Sequence, residues 1–308
     1  MTTWLIITRA IHIGSCLLFF GIFAFDRFTA PAFARQQSEM VRYWETRLRF
    51  FGFILLPIIF VSWAAWFALV AMTMSGQPLQ MDILKTVWTQ TQFGTVWKIR
   101  LVFLLAAATL SFFLKPQAPF RPFAVWAQVI ASGCLLGSLA WAGHGQETSP
   151  WHLFADVLHL LAAGVWPAGL LPLFLLLKQS RRITTPVDWL SMAQLVRRFS
   201  ASSLIAVTLL AITGYINSWF LVGSVSNLFS EPYGCWLLAK LIFFGIALAI
   251  AAINLLRLKP RLLLESTQPE MAAVTVAQLR RNVRIELLLG SAIIIIVAVL
   301  GILPPAVH

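Results

Sequence analysis

Along its length the chain alternates long apolar runs with short, mostly basic connections. Spanning the hydrocarbon of a bilayer takes about 20 predominantly apolar residues in a helix. Eight runs meet that requirement, at about 4–25, 50–73, 96–114, 122–142, 151–177, 200–222, 236–256 and 285–303. None shows the short polar–apolar alternation of an outer-membrane barrel, so each is read as a helix. The pattern predicts an all-α integral membrane protein, with eight transmembrane helices in one bundle forming a single polytopic membrane domain over 1–308. Nothing is left over for a separate soluble domain.

Composition narrows the class. The 308 residues are 59% hydrophobic and only 11% charged, against about 25% charged for a soluble domain. Mean hydropathy is +0.84, which excludes an ordinary soluble enzyme. The formal charge of +12 does not point to nucleic acid, because the basic residues lie between apolar runs rather than beside a soluble core. No phosphate-binding loop and no HExxH motif occurs, so neither a nucleotide nor ATP-driven pumping is expected. Cys16, Cys134 and Cys235 form no CxxC pair and suggest no disulfide framework.

Charge between the runs sets the orientation. The connections after runs 1, 3, 5 and 7 hold most of the 23 basic residues, among them Arg27, Arg47, Arg121, Lys178, Arg197, Arg257 and Arg281. Arg9, Lys85, Lys98, Arg100 and Lys240 fall elsewhere. Positive charge stays on the cytoplasmic side, which places the N- and C-termini on the periplasmic side of a bacterial inner membrane. Ala32-Phe33-Ala34 offers a cleavage-like pattern, but a signal peptide is not expected. No basic residue precedes the first run, Arg9 and His12 interrupt it, and it is too long for a signal core.

An ionisable group inside the bilayer costs roughly 3 kcal/mol or more, so each one asks for a reason. His152, Asp156 and His159 lie at i, i+4 and i+7 on one face of helix 5. At a 1.5 Å rise per residue, His159 sits about 12 Å below the outer boundary, and His12 in helix 1 sits at a similar depth. Arg9, His12 and Cys16 share a face of helix 1, His144 follows helix 4, and Lys240 lies just inside helix 7. Polar groups from distant parts of the chain therefore fall in one layer, the outer half.

Imidazole suits copper, zinc and iron, and sulfur ligands select Cu(I). Candidate metal ligands are His12, His144, His152 and His159, with Met72 and Met74 offering soft sulfur at the outer end of helix 2. Asp156, one turn from both histidines of its helix, is placed to take their second ring N–H. Ordinary structural uses exist for each. His152 beside Trp151 suits the membrane interface, methionines pad apolar surface, and Arg9 and Lys240 can snorkel outward. Gly214, Asn217 and Asn254 read as helix-packing and interhelical hydrogen-bond residues.

The run Asp156-Val-Leu-His159-Leu-Leu-Ala-Ala-Gly-Val-Trp166 resembles the signature helix of the copper resistance protein D (CopD) family. In the family's order stand His12, Gly143-His144, Arg198-Phe199-Ser200, Thr213-Gly214 with Asn217, Tyr233-Gly234 leading to Lys240, Asn254 with Arg257, and Pro304-Pro305. The chain departs from the pattern at Pro167-Ala168-Gly169, where the family usually has a Gly-Gly pair, and at Gly145, where Ala is common.

The resemblance implies a multi-pass inner-membrane protein of copper homeostasis. It would move copper inward from the periplasm, often with a small periplasmic copper-binding protein of the CopC type. CopD-like relatives that bind haem b through intramembrane histidines suggest an alternative: a redox protein with His12 and His159 as axial ligands and Arg9 and Lys240 pairing with propionates. In the first case the protein is a transporter rather than an enzyme, in the second an oxidoreductase. A third reading is a non-catalytic membrane partner that docks a periplasmic chaperone.

Overall fold

In the computed structural model the described residues are 1–29, 39–114, 120–142, 149–180 and 186–306. Among them no strand occurs, and eight helical segments are long and apolar enough to cross a membrane. The chain is thus a multi-pass α-helical membrane protein.

Most spans run past the apolar stretches. α1 (Thr2–Phe28), α2 (Glu39–Ser75), α4 (Gln92–Phe113), α8 (Pro186–Val222) and α12 (Pro269–Leu300) begin before the runs expected at 4, 50, 96, 200 and 285. Hydropathy registers only the part of a helix that lipid surrounds, whereas backbone hydrogen bonding carries the helix on into the polar boundary. α3 (Met81–Gln90) is a short helix in the connection between spans 2 and 3, too short to cross and therefore silent in a search for spans. Glycine ends two spans, with Gly76 (φ 66°) after α2 and Gly223 (φ 71°) after α8 in the left-handed conformation that favours it.

Span 5 is broken. α6 (Pro150–Val165) is started by Ser149, whose hydroxyl accepts from Trp151 N–H, with Pro150 in the first turn. It stops before Pro167, which has no N–H to continue the ladder. The Ala163 carbonyl is taken by Ala168 N–H at 3.2 Å, one residue further on. The helix resumes as α7 (Leu170–Gln179). Span 4 is α5 (Arg121–Gly137) closed by the 3₁₀ turn Ser138–Ala142. Span 7 is α10 (Pro232–Ile253), the wide turn Asn254–Leu258 and α11 (Lys259–Glu265). The remaining helix, α9 (Asn227–Ser230), is a single turn.

α1 is the central post, packing on α2, α5, α6 and α12. Its approach to α6 depends on missing side chains: a Cβ on Gly21 would lie 2.6 Å from the Gly164 carbonyl oxygen and 2.7 Å from the Ala168 Cβ. One buried core runs from Ile13 through Trp66, Leu136 and Leu176 to Val283. Outward, large apolar side chains such as Val102, Phe113, Phe123 and Ile205 are mostly exposed, the inverse of a water-soluble surface and what hydrocarbon solvates. Both chain ends lie at one end of the bundle. Ala306 N–H donates to the Leu221 carbonyl, and the Arg9 guanidinium packs on Gly301. At the opposite end Asp26, buried, accepts from Trp44 Nε1 (2.8 Å) and pairs with Arg121 (3.3 Å), tying α1, α2 and α5 together.

Candidate functional site

In the half of the bundle that holds the termini lies a cavity of about 300 Å³ between α1, α6, α8, α10 and α12. The predicted face of α6 forms one wall, with His152, Asp156 and His159 all lining it. Lys240 and Tyr233 of α10 face them, so a cation and a carboxylate share the space. Arg9 and Trp66 close the side toward α2.

Hydrogen bonding fixes the state of His159. Its Nδ1 lies 3.0 Å from Thr213 Oγ1, and the Thr213 hydroxyl spends its proton on the Leu209 carbonyl at 2.6 Å. The threonine oxygen can then only accept, so His159 carries its proton on Nδ1 and keeps a lone pair on Nε2. Among the described residues no donor is found for that lone pair. The ring rests on Gly214, 3.4 Å from the position a Cβ would take. Asp156 Oδ1 accepts from Asn217 Nδ2 at 3.1 Å. The carboxylate expected to orient the histidines of its own helix is thus met by α8, and Thr213 supplies the outer hydrogen bond to His159.

His152, in the first turn of α6, is buried, 2% exposed, with its ring stacked on Phe220 at 5.0 Å, so its side chain faces the bundle. Arg9 does not snorkel. It is buried, with its guanidinium 4.6 Å over the Trp66 ring, a cation–π contact in place of water.

His12 belongs to a different cluster. Its Nδ1 lies 2.9 Å from Ser62 Oγ, and Ser62 donates its own proton to the Ile58 carbonyl at 2.7 Å, so His12 too is protonated on Nδ1. Its Nε2 lone pair, however, accepts from Arg100 Nη2 at 2.6 Å, with Cys16 Sγ at 3.7 Å. Arg100 is fully buried and also donates to Ser138 Oγ (2.8 Å) and the Leu135 carbonyl (3.3 Å). Trp66 stands between the two clusters, edge-on to the His12 ring at 5.5 Å and lining the cavity on its other side.

The shared depth of His12 and His159 therefore does not become a shared site. Paired axial ligation of a haem does not fit these residues. Both ring nitrogens of His12 are engaged, and the ring does not line the cavity where His159, Arg9 and Lys240 meet. Met72 is half-buried and Met74 is 57% exposed, and neither lines the cavity. His144 lies outside the described residues. Among the described residues no three His, Cys, Asp or Glu side chains converge as a closed coordination shell would require. A rise of 1.5 Å per residue spreads His152 and His159 about 10 Å along the axis, too far for both to bind one metal ion.

Sequence reasoning missed Arg100 as a partner of His12. The signal was available, since Arg100 lies inside an apolar run where a charge needs a partner. Thr213 was visible only as an element of a family pattern, whereas Asn217, read as an interhelical hydrogen-bond residue, makes such a bond to Asp156.

Two family models match successive parts of the chain. The family model described as Copper resistance protein D matches residues 193–300. That described as Copper resistance protein D-like, N-terminal domain, matches residues 1–153. Copper resistance protein D of Pseudomonas syringae pv. tomato is 32% identical over 253 residues, 77% of each chain. Copper transport protein CutJ of Bacillus subtilis (strain 168) is 32% identical over 187 residues, 59% of this chain but 34% of that protein. Inner membrane protein YebZ of Escherichia coli (strain K12) is 26% identical over 317 residues, 98% of each chain. No solved structure matches the chain. With its motif order, its helices and these relatives in agreement, the chain belongs to the copper resistance protein D family.

Proposed function

We propose that this protein carries copper across the bacterial inner membrane. Copper enters the cavity from the periplasmic side, where both termini lie, and is handed along the α6 face through His152, Asp156 and His159. One observation carries the reading: His159 presents an uncommitted Nε2 lone pair to a membrane cavity beside a carboxylate, a donor set suited to copper. Lys240 balances Asp156 when the ion is absent. A CopC-like periplasmic protein is the expected donor, because the cavity reaches the helix ends at Leu221, Tyr233 and Leu300. The protein acts as a transporter and a single membrane domain, not an enzyme.

His159→Ala is expected to reduce cellular copper accumulation to the level of cells lacking the protein, with the variant inserted in normal amount. Wild-type accumulation in that variant would remove His159 from the path. Thr213→Val keeps the shape of the side chain but releases the His159 tautomer. Loss of such an outer hydrogen bond lowers metal affinity about 10–100-fold, measurable by equilibrium copper binding to purified protein. Unchanged affinity would mean that the Thr213 contact does not organise the ligand.

A further inference from the structure

A second cavity, of about 250 Å³, lies in the other half of the bundle, between span 5, α8, α12 and the wide turn of span 7. Its wall is apolar, with Trp166, Leu170 and Val283 as typical members, except for Glu286, Asn254 and two serines. Glu286 is 3% exposed. Its Oε2 accepts from Asn254 Nδ2 at 3.1 Å, and Asn254 Oδ1 in turn accepts from Asn282 Nδ2 at 2.8 Å. The side chains of the lining contain no cation and no second acid. The flanking Arg257 of the wide turn and Arg284 of α12 are exposed rather than turned inward. Ser203 of α8, 8% exposed, lines the cavity with its hydroxyl unpartnered among the described residues.

We propose that this cavity is a proton-binding site in which Glu286 is the acid. A bare carboxylate in a bilayer with no cation beside it is costly. Adding one proton to the carboxylate gives the neutral acid, and the same proton leaves when the carboxylate is restored, so no other reactant is needed. Asn254 holds Oε2 in both states and leaves Oε1 to gain and lose the proton. Ser203 offers a hydroxyl able to relay it. Copper is the wrong occupant, because the donors are a carboxylate, amides and hydroxyls without imidazole or sulfur. A hard cation such as sodium needs several convergent oxygens, whereas a proton needs one. The site touches the copper cavity back to back: Trp166 and Glu286 line one, their neighbours Pro167 and Leu287 the other. The assignment does not depend on copper being the substrate.

The test is infrared difference spectroscopy of the purified protein in lipid, with pH varied and copper absent. A carboxylic-acid carbonyl band should appear on acidification, shift when the solvent is exchanged for D2O, and be missing in Glu286→Gln, which keeps the acceptor for Asn254. His159→Ala should retain the band, so failure of the copper reading leaves this result standing. Should Glu286→Gln not assemble, the D2O shift and pH response of the wild type and a displaced band in Glu286→Asp decide the matter. A band indifferent to pH, one that never exchanges with D2O, or one that responds to sodium but not to pH overturns the proposal.

Discussion

His12→Ala is expected to destabilise the protein by about 3 kcal/mol, the penalty for leaving a buried charged donor without its acceptor. The Arg100 guanidinium has no carboxylate among its described contacts. It is held by a serine, a carbonyl and the His12 lone pair at a fully buried position. Thermal unfolding in detergent should show a large loss, together with a reduced amount of inserted protein. Removing both partners in His12→Ala/Arg100→Met should recover part of the stability, since an apolar pair no longer buries an unpaired charge. If His12→Ala unfolds with the wild type while losing copper transport, the imidazole is a ligand and the structural role assigned to it fails. The contrast with His159→Ala, expected to insert normally, separates the two histidines.

Gly21→Ala carries the second large effect. The added methyl would stand 2.6 Å from the Gly164 carbonyl oxygen and 2.7 Å from the Ala168 Cβ, and the obstructing atoms belong mainly to the backbone of span 5. Neither side can yield by changing a rotamer, so α1 and α6 must move apart. Overpacking of this kind costs about 1–3 kcal/mol. Because Ile13 and Leu17 of α1 line the cavity that also holds His159, the displacement should also weaken the copper binding proposed for it. Gly245→Ala is the matched control: no atom lies within 4 Å of its added methyl, and the exchange should be neutral or slightly stabilising in a helix. Equal unfolding temperatures for the two variants would show that the α1–α6 crossing tolerates a side chain.

The spans were legible because lipid makes one demand everywhere, an apolar helix of sufficient length. The α6 face was legible because three residues on one helix obey its period wherever the helix sits. Partnerships between helices were not. His12 and His159 look alike in sequence, each a buried imidazole at the same depth, and differ only in what a neighbouring helix brings: Arg100 to one, Thr213 to the other. Neither periodicity nor hydropathy specifies which helices abut. Glu286 escaped notice for a simpler reason. It stands at the edge of the apolar run beginning at 285, beside Arg284, and looks like part of a basic connection. α12 begins at Pro269, so Glu286 is well inside the helix and faces a cavity.

The interruption at Pro167 gives span 5 a joint. One shifted backbone bond at this level, from Ala168 to the Ala163 carbonyl, leaves the two halves of the span less stiffly coupled than a continuous helix. The half bearing His152, Asp156 and His159 stays pinned to α8 through Thr213 and Asn217, while the half beyond the break, which lines the Glu286 cavity, is free of those ties. A change of tilt below the joint would therefore reshape one chamber while the other keeps its geometry, so two cavities strung on one span need not move as one.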